Sequence, residues 1–111
     1  RPRLVLWQDP DAGSCGGACQ VFLEPLVRAG RLFIVGAGHV GVALARQADL
    51  CGRSAVLFDD RPRPENWTGA FRTINGYDDP LSGTEPGPSD AVVICTRSHA
   101  TDLEALRCLL G

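Results

Sequence analysis

Gly36-Ala37-Gly38-His39-Val40-Gly41 sets three glycines at the spacing with which a polypeptide closes on a phosphate. Gly36 permits a tight turn out of a strand. Gly38, with no Cβ, lets a pyrophosphate approach the backbone, and Gly41 lets the next helix lie against the strand. The free N–H groups and positive dipole end of that helix then face the anion. His39 falls in the first turn, close enough to a phosphate to donate to it. Asp59 stands eighteen residues past Gly41 and ends an apolar run, Ala55-Val56-Leu57-Phe58, where its carboxylate would reach ribose hydroxyls. Upstream, Cys15-Gly16-Gly17 puts a thiol beside two residues free to adopt positive φ. Such a loop can turn its N–H groups inward as an anion nest and lower the thiol pKa. It can equally be a glycine turn between strands with an incidental cysteine.

Thr96-Arg97-Ser98-His99 follows an apolar run, Ala91 to Cys95, at the strand end where open α/β sheets hold their ligands. Thr96 is therefore a candidate ligand contact, with helix capping as its competing role. Cys15 and Cys19 have ligand-like spacing but lack a second Cys or His pair, so zinc is not expected. No Ser/His/Asp triad and no carboxylate pair with acid–base spacing is present, nor is a substrate-binding segment. These residues describe a binding module rather than a catalyst.

Positioning them requires strands and helices at fixed places. Leu4–Trp7 and the alternating Cys19–Glu24 read as two strands of a hairpin. Leu32–Val35 is the strand that feeds the glycine turn, and a helix runs from His39 to Cys51. Val40, Leu44, Ala48 and Cys51 share one face, and Gly52 stands at the cap. Ala55–Phe58 is the next strand, Phe71–Ile74 a short one, and Asp78–Asp90 a long exposed loop, flexible or a surface lid. Ala91–Cys95 reads as a parallel strand buried on both faces. Thr101-Asp102-Leu103-Glu104 is a capping box opening a last helix, with Leu103, Leu106 and Leu110 on its buried side. Cys51 and Cys108, among apolar neighbours on helices, read as small core residues. The expected class is α/β: a Rossmann-like parallel sheet in the order βαβ-β-βα, the first half of a doubly wound sheet, preceded by a short β-hairpin segment.

The chain has 111 residues, 44% hydrophobic and 22% charged, which suits about one small domain. A net charge of -2 gives no electrostatic case for nucleic acid or an anionic membrane surface. All eleven basic residues are arginine, scattered along the chain. No apolar stretch is long enough to span a bilayer, and five cysteines without a disulfide pattern suit reduced thiols and a cytoplasmic location. With no methionine the sequence reads as a piece of a longer protein. Half of a doubly wound fold leaves a sheet edge to be covered, so a homodimer or domain exchange is expected.

Four segments together resemble one family. Gly13-Ser14-Cys15-Gly16-Gly17 with Val21-Phe22-Leu23-Glu24-Pro25-Leu26 is similar to the Cys-Gly-Gly…Glu-Pro-Leu segment of the XdhC/CoxI family. Phe33 to Gly41 and Phe58-Asp59-Asp60-Arg61-Pro62 resemble its glycine fingerprint and Asp-Asp-Arg turn. Val92 to His99, continuing through Asp102-Leu103-Glu104-Ala105-Leu106, resembles its threonine-bearing strand end and following helix. The resemblance implies an accessory protein for xanthine dehydrogenases and related molybdenum hydroxylases. Such a protein binds a molybdopterin-type cofactor, matures it and delivers it to the apoenzyme. Residues 1–30 would then be the tail of an N-terminal domain and residues 31–111 an incomplete Rossmann-like domain. Cys15, Gly16 and Gly17, with Gly36, Gly38, His39, Gly41, Asp59 and Thr96, would be the cofactor contacts. The alternative ligand is a nicotinamide dinucleotide, held by a regulatory or oxidoreductase domain; Asp59 argues for NAD over NADP, with Arg61 and Arg63 nearby leaving room for a 2′-phosphate. Family members often carry a histidine where this chain has Thr101.

Overall fold

A computed structural model describes residues 2–8, 17–24, 26 and 29–111 of the chain. The first two strands, β1 (Arg3–Gln8) and β2 (Ala18–Leu23), form the expected hairpin. They pair antiparallel, from Arg3 opposite Leu23 to Gln8 opposite Ala18. Apolar side chains occupy both faces: Leu4, Leu6 and Phe22 on one, Trp7, Val21 and Leu23 on the other, all of them exposed. The segment joining the two strands, including Cys15 and Gly16, lies outside the described residues. Gly17 is described, exposed, at the entry to β2.

The remaining strands are β3 (Leu32–Val35), β4 (Ala55–Asp59), β5 (Ala70–Thr73) and β6 (Ala91–Ile94). They make a parallel sheet in the order β5-β4-β3-β6, with Leu32 registered against both Ala55 and Ala91. This is half of a doubly wound sheet: the chain steps outward from β3 to β5, then returns to the other side of β3. β3 is buried along its whole length, which explains its uninterrupted Leu-Phe-Ile-Val run. Alternation splits the core into two layers. Leu32, Ile34, Ala55 and Leu57 pack with helix α1 (His39–Leu50), whereas Phe33, Val35 and Phe58 pack on the opposite face with Ala105 of helix α2 (His99–Leu110). Phe33 and Phe58 meet edge to face, with centroids 5.9 Å apart.

α1 ends as the sequence predicts. Gly52 adopts φ +72, and the N–H groups of Gly52 and Arg53 donate to the carbonyls of Asp49 and Ala48. Its buried face differs from the expected one. Gly41, Val42, Ala45 and Ala48 face the sheet, Leu44 is half-buried, and Val40 and Cys51 are exposed. Close seating of Gly41 against the glycine turn sets the rotation of the helix, and small residues then fill the narrow gap to the sheet.

No helix follows β4 or β5. After β4, Trp67 covers the α1 side of the sheet, 5% exposed, with its indole N–H donating to the Ala70 carbonyl at 3.0 Å. After β5, Ile74, Tyr77, Pro80 and Leu81 are buried against the opposite layer. The segment expected to be an exposed loop or lid therefore begins as core, because its apolar side chains occupy the space a crossover helix would fill. β5 spans Ala70–Thr73 rather than Phe71–Ile74.

α2 starts earlier than the expected capping box. Ser98 is its N-cap, accepting from the Thr101 N–H, and the Asp102 carboxylate instead accepts from the Thr96 N–H at 2.8 Å. Ala105 packs on the sheet, while Leu103, Leu106 and Leu110 are exposed, contrary to expectation. β6 is an edge strand, so the sheet underlies only one side of the helix. Cys108 is also exposed, its thiol directed at the Asp78 carbonyl, so neither it nor Cys51 belongs to the core. Ser98→Ala should cost about 1 kcal/mol by leaving the Thr101 N–H uncapped, read as a lowered urea midpoint at unchanged slope.

Candidate functional site

The carboxyl end of β3 brings the predicted glycines together. Gly36 has φ +116, and a Cβ there would stand 2.2 Å from the Cys95 carbonyl oxygen. The glycine turn thus passes directly over the end of β6, with the Gly36 N–H donating to the Phe58 carbonyl at 2.7 Å. At Gly41 a Cβ would lie 1.9 Å from the Gly36 carbonyl oxygen, so α1 can seat on the turn only with glycine there. Gly38, the N-cap of α1, is different. Its φ is -79, and the nearest atom to a built Cβ is a guanidinium nitrogen of Arg61 at 4.0 Å. The absent side chain leaves open space over the backbone, as the approach of a phosphate requires. No side chain caps α1 and no acidic residue lies in its first turn. Its first amides therefore remain available as donors.

A cavity of about 260 Å³ opens here, lined by Ala37, Gly38, His39, Val42, Arg61, Pro64 and Asn66. None of these residues is acidic. His39 is exposed at its edge. A larger groove of about 700 Å³ lies at the amino ends of the strands, lined by Ala29, Gly30, Arg31, Gly52, Ser54, Ser89 and Asp90. It lies at the opposite end of the strands from the glycine turn. Arg31 pairs with Asp90 there at 2.9 Å, and that guanidinium holds the Asp90 carboxyl down at about 2. Open α/β sheets take their ligands at the carboxyl ends, so the smaller cavity is the candidate site.

Asp59 sits beneath it, 1% exposed, and its carboxylate is fully engaged. Oδ2 accepts from the Ala37 N–H at 2.8 Å and from Arg61 Nη2 at 2.8 Å. Oδ1 accepts from the Arg61 N–H and Nε, both at 2.9 Å. Burial pushes its pKa up, but the Arg61 side chain and the two amides outweigh that and hold it well below the usual carboxylate range. The neighbouring Asp60 has partners of its own. Arg97, from the loop after β6, grips it with two hydrogen bonds of 2.7 and 2.8 Å, and the Tyr77 hydroxyl donates to it at 3.2 Å. Arg97 also lies over the Tyr77 ring, 5.9 Å from its centroid. Burial, then the two aspartates, raise the Tyr77 pKa to about 12, so the phenol stays protonated and can donate.

Gly36, Gly38, His39, Gly41 and Asp59 thus converge. Thr96 comes to the same strand ends, but its hydroxyl donates to Asp102 and also lies against Thr101, which is the helix-terminus role. Cys95 is half-buried; burial, followed by Asp102 and Asp59, raises its thiol pKa and keeps it protonated. Cys15 and Gly16 lie outside the described residues. The sequence reading did not anticipate the Asp59–Arg61 pair or the Asp60–Arg97–Tyr77 bridge. Asp59-Asp60-Arg61 adjacency was the available signal for the first; for the second, thirty-seven residues separate Asp60 from Arg97.

Among the described residues no helix is long and apolar enough to cross a membrane, and no three His, Cys, Asp or Glu side chains converge to hold a metal ion. A family model described as the XdhC Rossmann domain matches residues 32–111. No curated protein and no solved structure matches the chain. The match spans β3 through α2 and includes every element that builds the glycine-loop site, so the chain belongs to the XdhC family, with its Rossmann domain at residues 32–111.

Proposed function

We propose that this chain is part of an accessory protein that holds a molybdopterin-type cofactor and passes it to an apo molybdenum hydroxylase of the xanthine dehydrogenase kind. It acts by binding rather than by catalysis. The observation that carries the reading is the Cβ-free face at Gly38 opening onto a cavity with a guanidinium and no carboxylate lining it. That is a suitable seat for the phosphate end of such a cofactor. Gly36 and Gly41 shape the turn, Gly38, His39 and Arg61 face the phosphate, and Asp59 and Thr96 brace the surrounding loops. Cys15, Gly16 and Gly17, in the segment that resembles the tail of the family's N-terminal domain, would supply the contact with the pterin portion. A homodimer would cover the β6 edge and the exposed leucines of α2.

Purified from cells that make the molybdenum cofactor, the protein should release a fluorescent oxidised pterin on acid treatment. Repeated absence of pterin overturns the reading. Gly38→Asp separates binding from folding. Aspartate is a good N-cap and its Cβ meets nothing closer than 4.0 Å, so stability should hold or rise. Its carboxylate would face the phosphate, however, and retained pterin should fall about tenfold or more.

A second reading, a regulatory or oxidoreductase domain that binds NAD or NADP, is favoured by the β5-β4-β3-β6 strand order and the acid ending β4. Saturable dinucleotide binding by pterin-free protein would support it.

A further inference from the structure

The carboxylate that should greet a ribose is already occupied. Asp59 is 1% exposed, and both its oxygens are committed to Ala37 and Arg61. Its neighbour Arg61 is the opposite: the side chain is 49% exposed, lines the cavity, and brings Nη2 within 4.0 Å of the Cβ position of Gly38. A ligand entering beside the glycine turn therefore meets the guanidinium before it can meet the carboxylate. A ribose 2′,3′-diol can accept from the guanidinium, but only as a neutral acceptor, and its own O–H donors find no free acceptor on Asp59. A phosphomonoester offers acceptors, which suit a planar guanidinium already oriented by its buried partner.

We propose that Asp59 is the positioning residue for Arg61 rather than a ribose ligand, and that the pair selects ligands presenting a phosphomonoester over those presenting a free ribose diol. The inference rests on the glycine-loop cavity being the phosphate site. The phosphomonoester could be the terminal phosphate of a small ligand or the 2′-phosphate of a dinucleotide. Arg63 does not share this role; its guanidinium is turned to the Gly69 carbonyl at 2.6 Å.

The test is titration of the intact protein with NADP+, NAD+ and inorganic phosphate by calorimetry. NADP+ should bind about tenfold or more tighter than NAD+, the factor expected of one charge-assisted contact. Inorganic phosphate should compete with NADP+ if a phosphomonoester alone fills the subsite; a 2′-phosphate needing the rest of the dinucleotide would show the NADP+ preference without that competition. Arg61→Ala should bring the two dinucleotide affinities together, and Arg61→Lys should restore part of the gap. Asp59→Asn loosens the turn that both dinucleotides share and should weaken NADP+ more than NAD+, narrowing the gap between them, whereas a true ribose ligand would lose NAD+ affinity at least as much. Equal or tighter binding of NAD+ in the unaltered protein, abolished by Asp59→Asn, overturns the proposal and leaves the phosphate site standing. Failure of all three probes to bind, alongside absence of pterin, overturns the phosphate site and the proposal together. Arg61→Ala keeps the selectivity readable should Asp59→Asn fail to fold.

Discussion

Gly36→Ala is expected to destabilise the Rossmann domain by about 3–5 kcal/mol, a large share of the ~5–15 kcal/mol that holds a domain folded. Two independent costs coincide. Backbone at φ +116 is strained for any residue with a Cβ, and that Cβ would stand 2.2 Å from the Cys95 carbonyl oxygen. The clashing atom is backbone from the neighbouring strand, so no rotamer change relieves it. Either the glycine turn lifts or β6 shifts, and both would disturb the ladder in which the Cys95 N–H donates to the Val35 carbonyl at 2.8 Å. Gly52→Ala is the matched control. It also sits at positive φ, +72, but a built Cβ meets nothing within 4 Å, so it should cost only about 1–2 kcal/mol. Urea unfolding of both variants decides between overlap and backbone strain. Equal losses would mean that the close approach at Gly36 contributes nothing.

The second large effect comes from Asp59. Asp59→Asn should cost about 3 kcal/mol at neutral pH. An asparagine amide accepts through one oxygen only, and its NH2 would face either Ala37 or Arg61, both of them donors. The loss should also depend on pH in a definite direction. The folded pKa of Asp59 is depressed below its ordinary value, so the folded state binds the proton less readily than the unfolded state. Its stabilisation is therefore full above the unfolded carboxylate pKa of about 4 and drains away as the pH falls below that toward the folded pKa. The difference in unfolding free energy between the unaltered protein and Asp59→Asn should be constant from neutral pH to about pH 5, then shrink steadily with acid. Asp60 and Asp90 are depressed as well, so both proteins weaken in acid; the difference removes Asp90 and reads Asp59 together with its effect on neighbouring Asp60. A gap that widens on acidification would mean that Arg61 and the amides do not hold the carboxylate as described.

Both predictions concern atoms that hold the glycine turn in place, and this separates them from Gly38→Asp. Gly36 and Gly41 are glycines because backbone comes too close; Gly38 is a glycine with space in front of it. The same motif thus divides into two structural positions and one open to a ligand. Loss of pterin with stability intact at Gly38, set against loss of stability at Gly36, would show that division in solution.

Local signals in the sequence determined the order of strands, turn and helices. The Leu32–Val35 run, the glycine spacing, Gly52 after α1 and Asp59 at the end of β4 each act over a few residues, and each lies where the sequence predicts. The doubly wound arrangement follows, since a strand, a glycine turn, a helix and a strand can close in very few ways. Tertiary structure decided the rest. It turned Gly41 rather than Val40 toward the sheet, buried Tyr77 and Leu81 where no helix stands, and left the α2 leucines exposed beside an edge strand. It also placed Arg61 on Asp59 and Arg97 on Asp60. A helix's rotation and a long side chain's direction depend on what packs opposite, and those atoms come from strands tens of residues away. Periodicity along one segment holds no record of them. Asp59 was legible as an acid at the site with Arg61 two residues on, but not that the Arg61 side chain folds back onto its carboxylate.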